Sequence, residues 1–182
     1  MAGGTANGLR DHATTWRAAA FHAAGALLLG LYGGEVCSCL DGLGFAHVTA
    51  LLAAAFAVAL VARVLLEPVV VTRAPDAQQG RRQLVLDFLL FVGVGVGVAV
   101  WDVAAHDFPL VSGAKLTIGC ATVGVFAALD GALARERAVA LRLFGDAAEA
   151  AFDRARVSVT TKLLVPALAV TGLVAADVFL LV

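Results

Sequence analysis

The sequence predicts an all-α fold, a polytopic transmembrane helical bundle of about five spans with the N-terminus in the cytoplasm and the C-terminus outside (N-in/C-out). Three observations predict it. Hydrophobic residues make up 61% of the 182 and the mean hydropathy is +0.92, well above the roughly 45–50% apolar content of soluble domains. A chain of this size still exposes about a third of its unfolded surface, so a water-soluble fold cannot hide such an excess. Second, five apolar stretches each come close to the roughly 17–25 residues that cross about 30 Å of hydrocarbon. Third, the cationic residues between those stretches fall almost entirely on one side.

The first 17 residues are polar, Gly/Thr-rich and without a convincing secretory cleavage site, so they read as a cytoplasmic segment rather than a signal peptide. Span one is Ala18 to Tyr32, bracketed by Trp16 and Tyr32 at aromatic-belt depth. Span two runs from about Phe45 to Ala62 and ends at Arg63; Pro68 should turn Glu67 away from helix and mark the exit. Span three, Leu84 to Trp101, carries Asp87 one turn in and Asp102 at its far end. Span four, Leu116 to Leu133, follows Lys115 and holds Asp130 and Gly131, so residues 18–133 form a four-span bundle. Residues 134–157 place Ala138, Leu141, Phe144, Ala148, Ala151, Phe152 and Ala155 at steps of three and four, the mark of an amphipathic helical hairpin with a break near Gly145. This cytoplasmic hairpin packs on the membrane face or docks a partner. Residues 158–182 make the fifth transmembrane helix, with Leu163 to Val182 as its apolar part and Pro166 and Asp177 within it.

Orientation follows from charge, because cytoplasmic loops retain Arg and Lys during insertion. Twelve of the 13 cationic residues fall on the N-terminal side of the membrane, and only Lys115 falls on the other. Eleven are Arg, which with abundant Ala, Gly and Val is a bias of GC-rich bacterial genes and points to a bacterial inner membrane. The formal net charge of −1 and the scattered arginines exclude nucleic acid as a partner. The bilayer is the first partner, with other membrane subunits or further copies of the chain next. A chain ending on Val178, Phe179, Leu180, Leu181 and Val182 is expected to be the membrane part of a longer protein or a small subunit packed inside a larger assembly.

Few residues could carry chemistry. The intramembrane carboxylates Asp87, Asp130 and Asp177 each cost a few kcal/mol at the bilayer centre, so they should face the bundle interior. Arg63, Arg81 or Arg82 can reach Asp87 and Asp130 and tie spans two, three and four together; a proton relay is the alternative. Asp177 pairs with Lys115 or a histidine, or is protonated. His47 and His106 both lie on the outer side and are the candidates for haem or metal, with Asp102 or Asp107 beside them. Haem ligation wants facing helices, whereas His106 reads as a loop residue, and hydrogen-bonded structural roles stay open. Cys37 and Cys39 could chelate a soft metal or be ordinary loop thiols; Cys120 reads as a small packing residue. Gly93 and Gly97 form a GxxxG that seats a helix or makes room for a flat ligand. No HExxH, GxSxG, Walker or Fe–S signature is present, so no catalytic residue is expected and no cofactor is required by the sequence.

Three stretches carry a resemblance: Leu86-Asp87-Phe88-Leu89-Leu90-Phe91, then Phe108 to Leu116, then Phe126-Ala127-Ala128-Leu129-Asp130 followed by Arg135-Glu136-Arg137. Over roughly half the chain they resemble the N-terminal multi-span membrane region of bacterial signalling proteins, the sensor kinases and nucleotide cyclases. The chain departs from those proteins in lacking any phosphorylation, ATP-binding or cyclase sequence, so the resemblance implies an input or anchoring module and carries over no catalytic residue. The expected function is therefore a non-enzymatic membrane module that senses, anchors or assembles. An accessory subunit of a respiratory or photosynthetic complex and a small ion-coupled transporter are the competing expectations.

Overall fold

The computed structural model describes residues 3–36, 45–107 and 109–145, and among them there is no strand. The elements are α1 (Gly3–Val36), α2 (Phe45–Glu67) with a π-helical continuation over Pro68–Thr72, α3 (Asp76–His106) and α4 (Leu110–Phe144). The chain divides into two compact units, Met1–Ala132 and Leu133–Val182, with the division falling inside α4. Among the described residues three stretches, Ala46–Thr72, Asp76–His106 and Leu110–Phe144, are long and apolar enough to cross a membrane. The expected first span lies within α1, which is not one of these three. The expected fifth span, with Asp177, and the second half of the hairpin lie outside the described residues, as do Cys37 and Cys39.

Each helix outruns its apolar window. Hydropathy stops at the first charges, but hydrogen bonding continues through good helix formers such as the Gln78, Gln79, Arg81, Arg82 run before α3's apolar part and the Ala134–Arg137 run after α4's. Two local expectations are corrected. Glu67 stays helical (φ −53°, ψ −46°) and Pro68 opens the π segment instead of ending the helix. A proline ring meets the carbonyl four residues back and offers no N–H, and a single widened turn relieves both. Arg63 also bridges to Glu67 across one turn, and Arg82 Nη1 donates to the Val70 carbonyl at 3.2 Å, which ties the π segment to α3. His106 is the last residue of α3 and not a loop residue. The helix stops one residue later, where Asp107 is left-handed (φ 54°). Aspartate tolerates that region better than branched residues do. Asp107→Val should therefore cost about 1 kcal/mol of stability, read as a lower unfolding midpoint in detergent, while Asp107→Gly should not.

In the first unit neighbouring helices run antiparallel, because contacts at rising positions on one meet falling positions on the next. Gly25 and Gly30 of α1 meet Phe56 and Thr49 of α2. His47 and Arg63 of α2 meet His106 and Asp87 of α3. Asp87, Phe91, Gly95 and Ala99 of α3 meet Gly131, Gly124, Cys120 and Gly113 of α4. Arg17 and Leu29 of α1 close the ring on Asp130 and Gly119 of α4. Phe91, fully buried, sits where the helices converge, against His22, Phe56 and Gly124.

The distribution of polarity is the reverse of a soluble domain's. Leu27, Leu28, Val58, Leu65, Leu89 and Val100 are exposed, while His22, Arg63, Gln79, Gln83 and Asp87 are buried. An apolar exterior of this extent belongs against lipid. Between helices, where lipid removes most of the hydrophobic drive, close packing and polar contacts hold the bundle.

Candidate functional site

The polar interior is built on a four-residue ladder along α3. Gln83 and Asp87 stand one turn apart, so both side chains face α2 and the bundle centre. Gln83 Nε2 donates to Asp87 Oδ2 at 2.8 Å and Arg63 Nε donates to Asp87 Oδ1 at 2.8 Å. Arg63 Nη1 donates to Glu67 Oε2 at 3.0 Å. Arg63, Gln83 and Asp87 are 5%, 1% and 4% exposed, which puts an ion pair where solvation is weakest and pairing matters most. Gly131 closes the site from α4, since a Cβ there would collide with Oδ2 of Asp87. Gln83 Oε1 is buried and meets no donor among the described residues.

His22 of α1 lies one layer further along. Its Nδ1 is 2.8 Å from the Ala18 carbonyl, which fixes Nδ1 as the protonated nitrogen and leaves Nε2 as an acceptor; Nε2 is buried without a partner among the described residues. The ring stands edge-on to Phe56 and tilted on Phe91. A second ion pair, Arg17 with Asp130, joins α1 to α4 with both side chains partly exposed.

At the other end of the same α2–α3 pair, the rings of His47 and His106 meet in a T-shaped arrangement, 6.3 Å between centroids and 88° between planes. Asp102, one turn before His106, is within electrostatic range of both. No group of three or more His, Cys, Asp or Glu among the described residues is arranged to hold a metal ion.

The structure thus brings Asp87 to Arg63, as the charge pattern suggests, but gives Asp130 to Arg17 and not to Arg63, Arg81 or Arg82. Among the described residues the two ion pairs link α2 to α3 and α1 to α4, rather than spans two, three and four in one cluster. The Gly93 and Gly97 pair faces away from the other described residues, with open space beside both. The close approach falls to Gly95, where a Cβ would lie 2.8 Å from the Cα of Thr117 and 2.9 Å from the Cβ of Cys120. Gln83 and Glu67 do not stand out as site residues in the sequence, whereas His22 does as a histidine near the cytoplasmic end of span one and an alternative haem ligand. Gln83 and Glu67 carry a signal there, the four-residue spacings Arg63–Glu67 and Gln83–Asp87.

Compared with known proteins, residues 21–182 match a protein-family model, MASE10. MASE domains are membrane-associated sensory domains of signalling proteins, and the resemblance carried by the sequence agrees at that level. No curated protein and no solved structure matches the chain.

Proposed function

The chain belongs to the MASE10 family, and from that premise we propose that it is the non-enzymatic input module of a bacterial inner-membrane signalling system. In this reading the chain crosses the membrane five times, N-in and C-out, with the 134–157 segment in the cytoplasm, and it assembles with other membrane subunits or further copies of itself. A sensory domain converts a local event into a relative movement of helices, which requires two packings of similar energy.

One observation carries the reading. An ion pair, Arg63 on Asp87, clasps α2 to α3 at one end and the rings of His47 and His106 meet edge-on at the other, while small residues line the seams with α1 and α4. Such seams let one helix slide without large side chains having to disengage. Asp87 and Asp130 are both engaged by arginines, which favours this role over ion carriage.

The test is disulfide formation in membranes. Gly30→Cys with Thr49→Cys would report on α1–α2, where the Cβ atoms would stand 3.5 Å apart, within disulfide range. Ala99→Cys with Gly113→Cys, whose Cβ atoms would stand 2.9 Å apart and must part slightly to bond, would report on α3–α4. With the native cysteines replaced by serine, crosslinking at one seam or both should change severalfold when pH, divalent metal or osmolality changes. Identical rates under every condition would sink the sensory reading.

A further inference from the structure

We infer that His47 and His106 form a binding site for a divalent transition-metal ion at the end of the bundle remote from Arg63 and Asp87. The inference deepens the sensory reading, on which it rests for its consequence, by naming the class of ligand. Whether the ion binds is a separate question from whether binding signals.

The two imidazoles come from different helices. His47 is in the first turn of α2 and His106 is the last residue of α3, and their centroids are 6.3 Å apart with the rings at 88°. A metal bound through a ring nitrogen at about 2.0–2.1 Å lies about 3.2 Å from the ring centroid. Two imidazoles on one ion therefore have centroids between about 5.2 Å apart, at a tetrahedral angle, and about 6.4 Å, in a linear arrangement. The observed 6.3 Å lies at the near-linear end of that range, so an ion of tetrahedral preference would bind with the rings drawn closer.

The chemistry of the surroundings fits a cation. Asp102 lies one turn before His106 and interacts electrostatically with both rings. A carboxylate beside metal-binding imidazoles offsets the ion's charge. His47 is exposed and His106 and Asp102 are half-buried, so water can reach the site and complete the coordination. The two imidazoles are the protein ligands the described residues offer, and water would fill the remaining coordination positions. Imidazole selects zinc, nickel or copper over magnesium or calcium, which prefer oxygen.

Binding would also do mechanical work. Moving from the observed spacing toward a tetrahedral angle draws the rings together by about 1 Å. That pulls on the two helices that Arg63 and Asp87 clasp about 24 Å further along α2, at roughly 1.5 Å per residue.

The experiment uses the chain in lipid nanodiscs, purified with an affinity tag free of histidine. The sequence has two tryptophans, so Trp16→Phe leaves Trp101, adjacent to Asp102 and exposed, as the sole indole. Paramagnetic Cu²⁺ or Ni²⁺ should quench it saturably with one-to-one stoichiometry, reversed by a chelator, and Zn²⁺ should compete. His47→Gln and His106→Gln should each weaken binding at least about 10-fold, and Asp102→Asn about 10-fold. His47 is on the surface, so His47→Gln alone decides the matter if His106→Gln does not fold. Cys37→Ser with Cys39→Ser should leave the affinity unchanged. Non-saturable quenching, unchanged affinity in His47→Gln, loss of binding in the cysteine variant, or a co-purifying haem spectrum that disappears in His106→Gln would each overturn the inference. Saturable binding that leaves crosslinking at the helix seams unaltered would keep the site and remove metal as the signal. Crosslinking that responds to other stimuli while no metal binds would do the opposite.

Discussion

Replacing Asp87 by alanine is expected to destabilise the folded protein by about 3–5 kcal/mol, the range found when one partner of a buried ion pair is removed. Arg63 would keep its charge at 5% exposure with only Glu67 to answer it, and Gln83 Nε2 would lose its acceptor. Asp87→Asn keeps the shape and one acceptor oxygen, so its cost should be smaller, about 1–3 kcal/mol. The decisive comparison is with Arg63→Met and the double variant Arg63→Met/Asp87→Ala. Removing both charges leaves no buried ion, and replacing buried pairs by apolar groups is often close to neutral. The double variant should thus be more stable than Asp87→Ala alone. Unfolding of micelle-solubilised protein, followed by circular dichroism, gives all four values. A coupling within about 0.5 kcal/mol of zero would mean that the two residues act independently, and the clasp between α2 and α3 would not be energetically real.

The helical membrane class is legible from hydropathy alone because length and apolarity depend on nothing beyond the chain itself. Pairing is less so. Arg17 and Asp130 are 113 positions apart, and whether they meet depends on how α1 and α4 are rotated, which uniformly apolar helices barely signal. Pro68 misleads for a different reason: the rule that proline ends a helix omits the π turn that absorbs it. His106 resembles a loop residue in sequence because Asp107 and Pro109 follow it, yet the break comes one residue after the histidine. The polar residues inside the membrane do hold the missing phase. In α3 the buried positions include Gln79, Gln83, Asp87, Phe91 and Gly95, a strict four-residue ladder. Polar side chains at lipid depth must point inward. Extending the Gln83–Asp87 step by four and eight therefore selects Phe91 and Gly95 as interior and turns Gly93 and Gly97 outward.

That phase produces the second large effect. Gly95→Ala should cost about 1–3 kcal/mol, the usual penalty for overpacking. The new Cβ would meet the Thr117 backbone at 2.8 Å, and backbone cannot swing aside as the end of a flexible side chain can. α3 and α4 would have to separate or slide, so Gly95→Leu should be worse still. Gly93→Ala and Gly97→Ala put the same methyl into open space and remove helix-destabilising glycines, so each should be neutral or stabilising by up to about 1 kcal/mol. The three alanine variants differ by one methyl group at nearly the same depth, which leaves the direction each faces as the main variable. Unfolding midpoints measured side by side in one detergent should rank Gly95→Ala lowest by a clear margin. If Gly93→Ala or Gly97→Ala is the damaging change, α3 is rotated differently about its axis, and the inward placement of Asp87 falls with it, since all four positions are fixed by one helix.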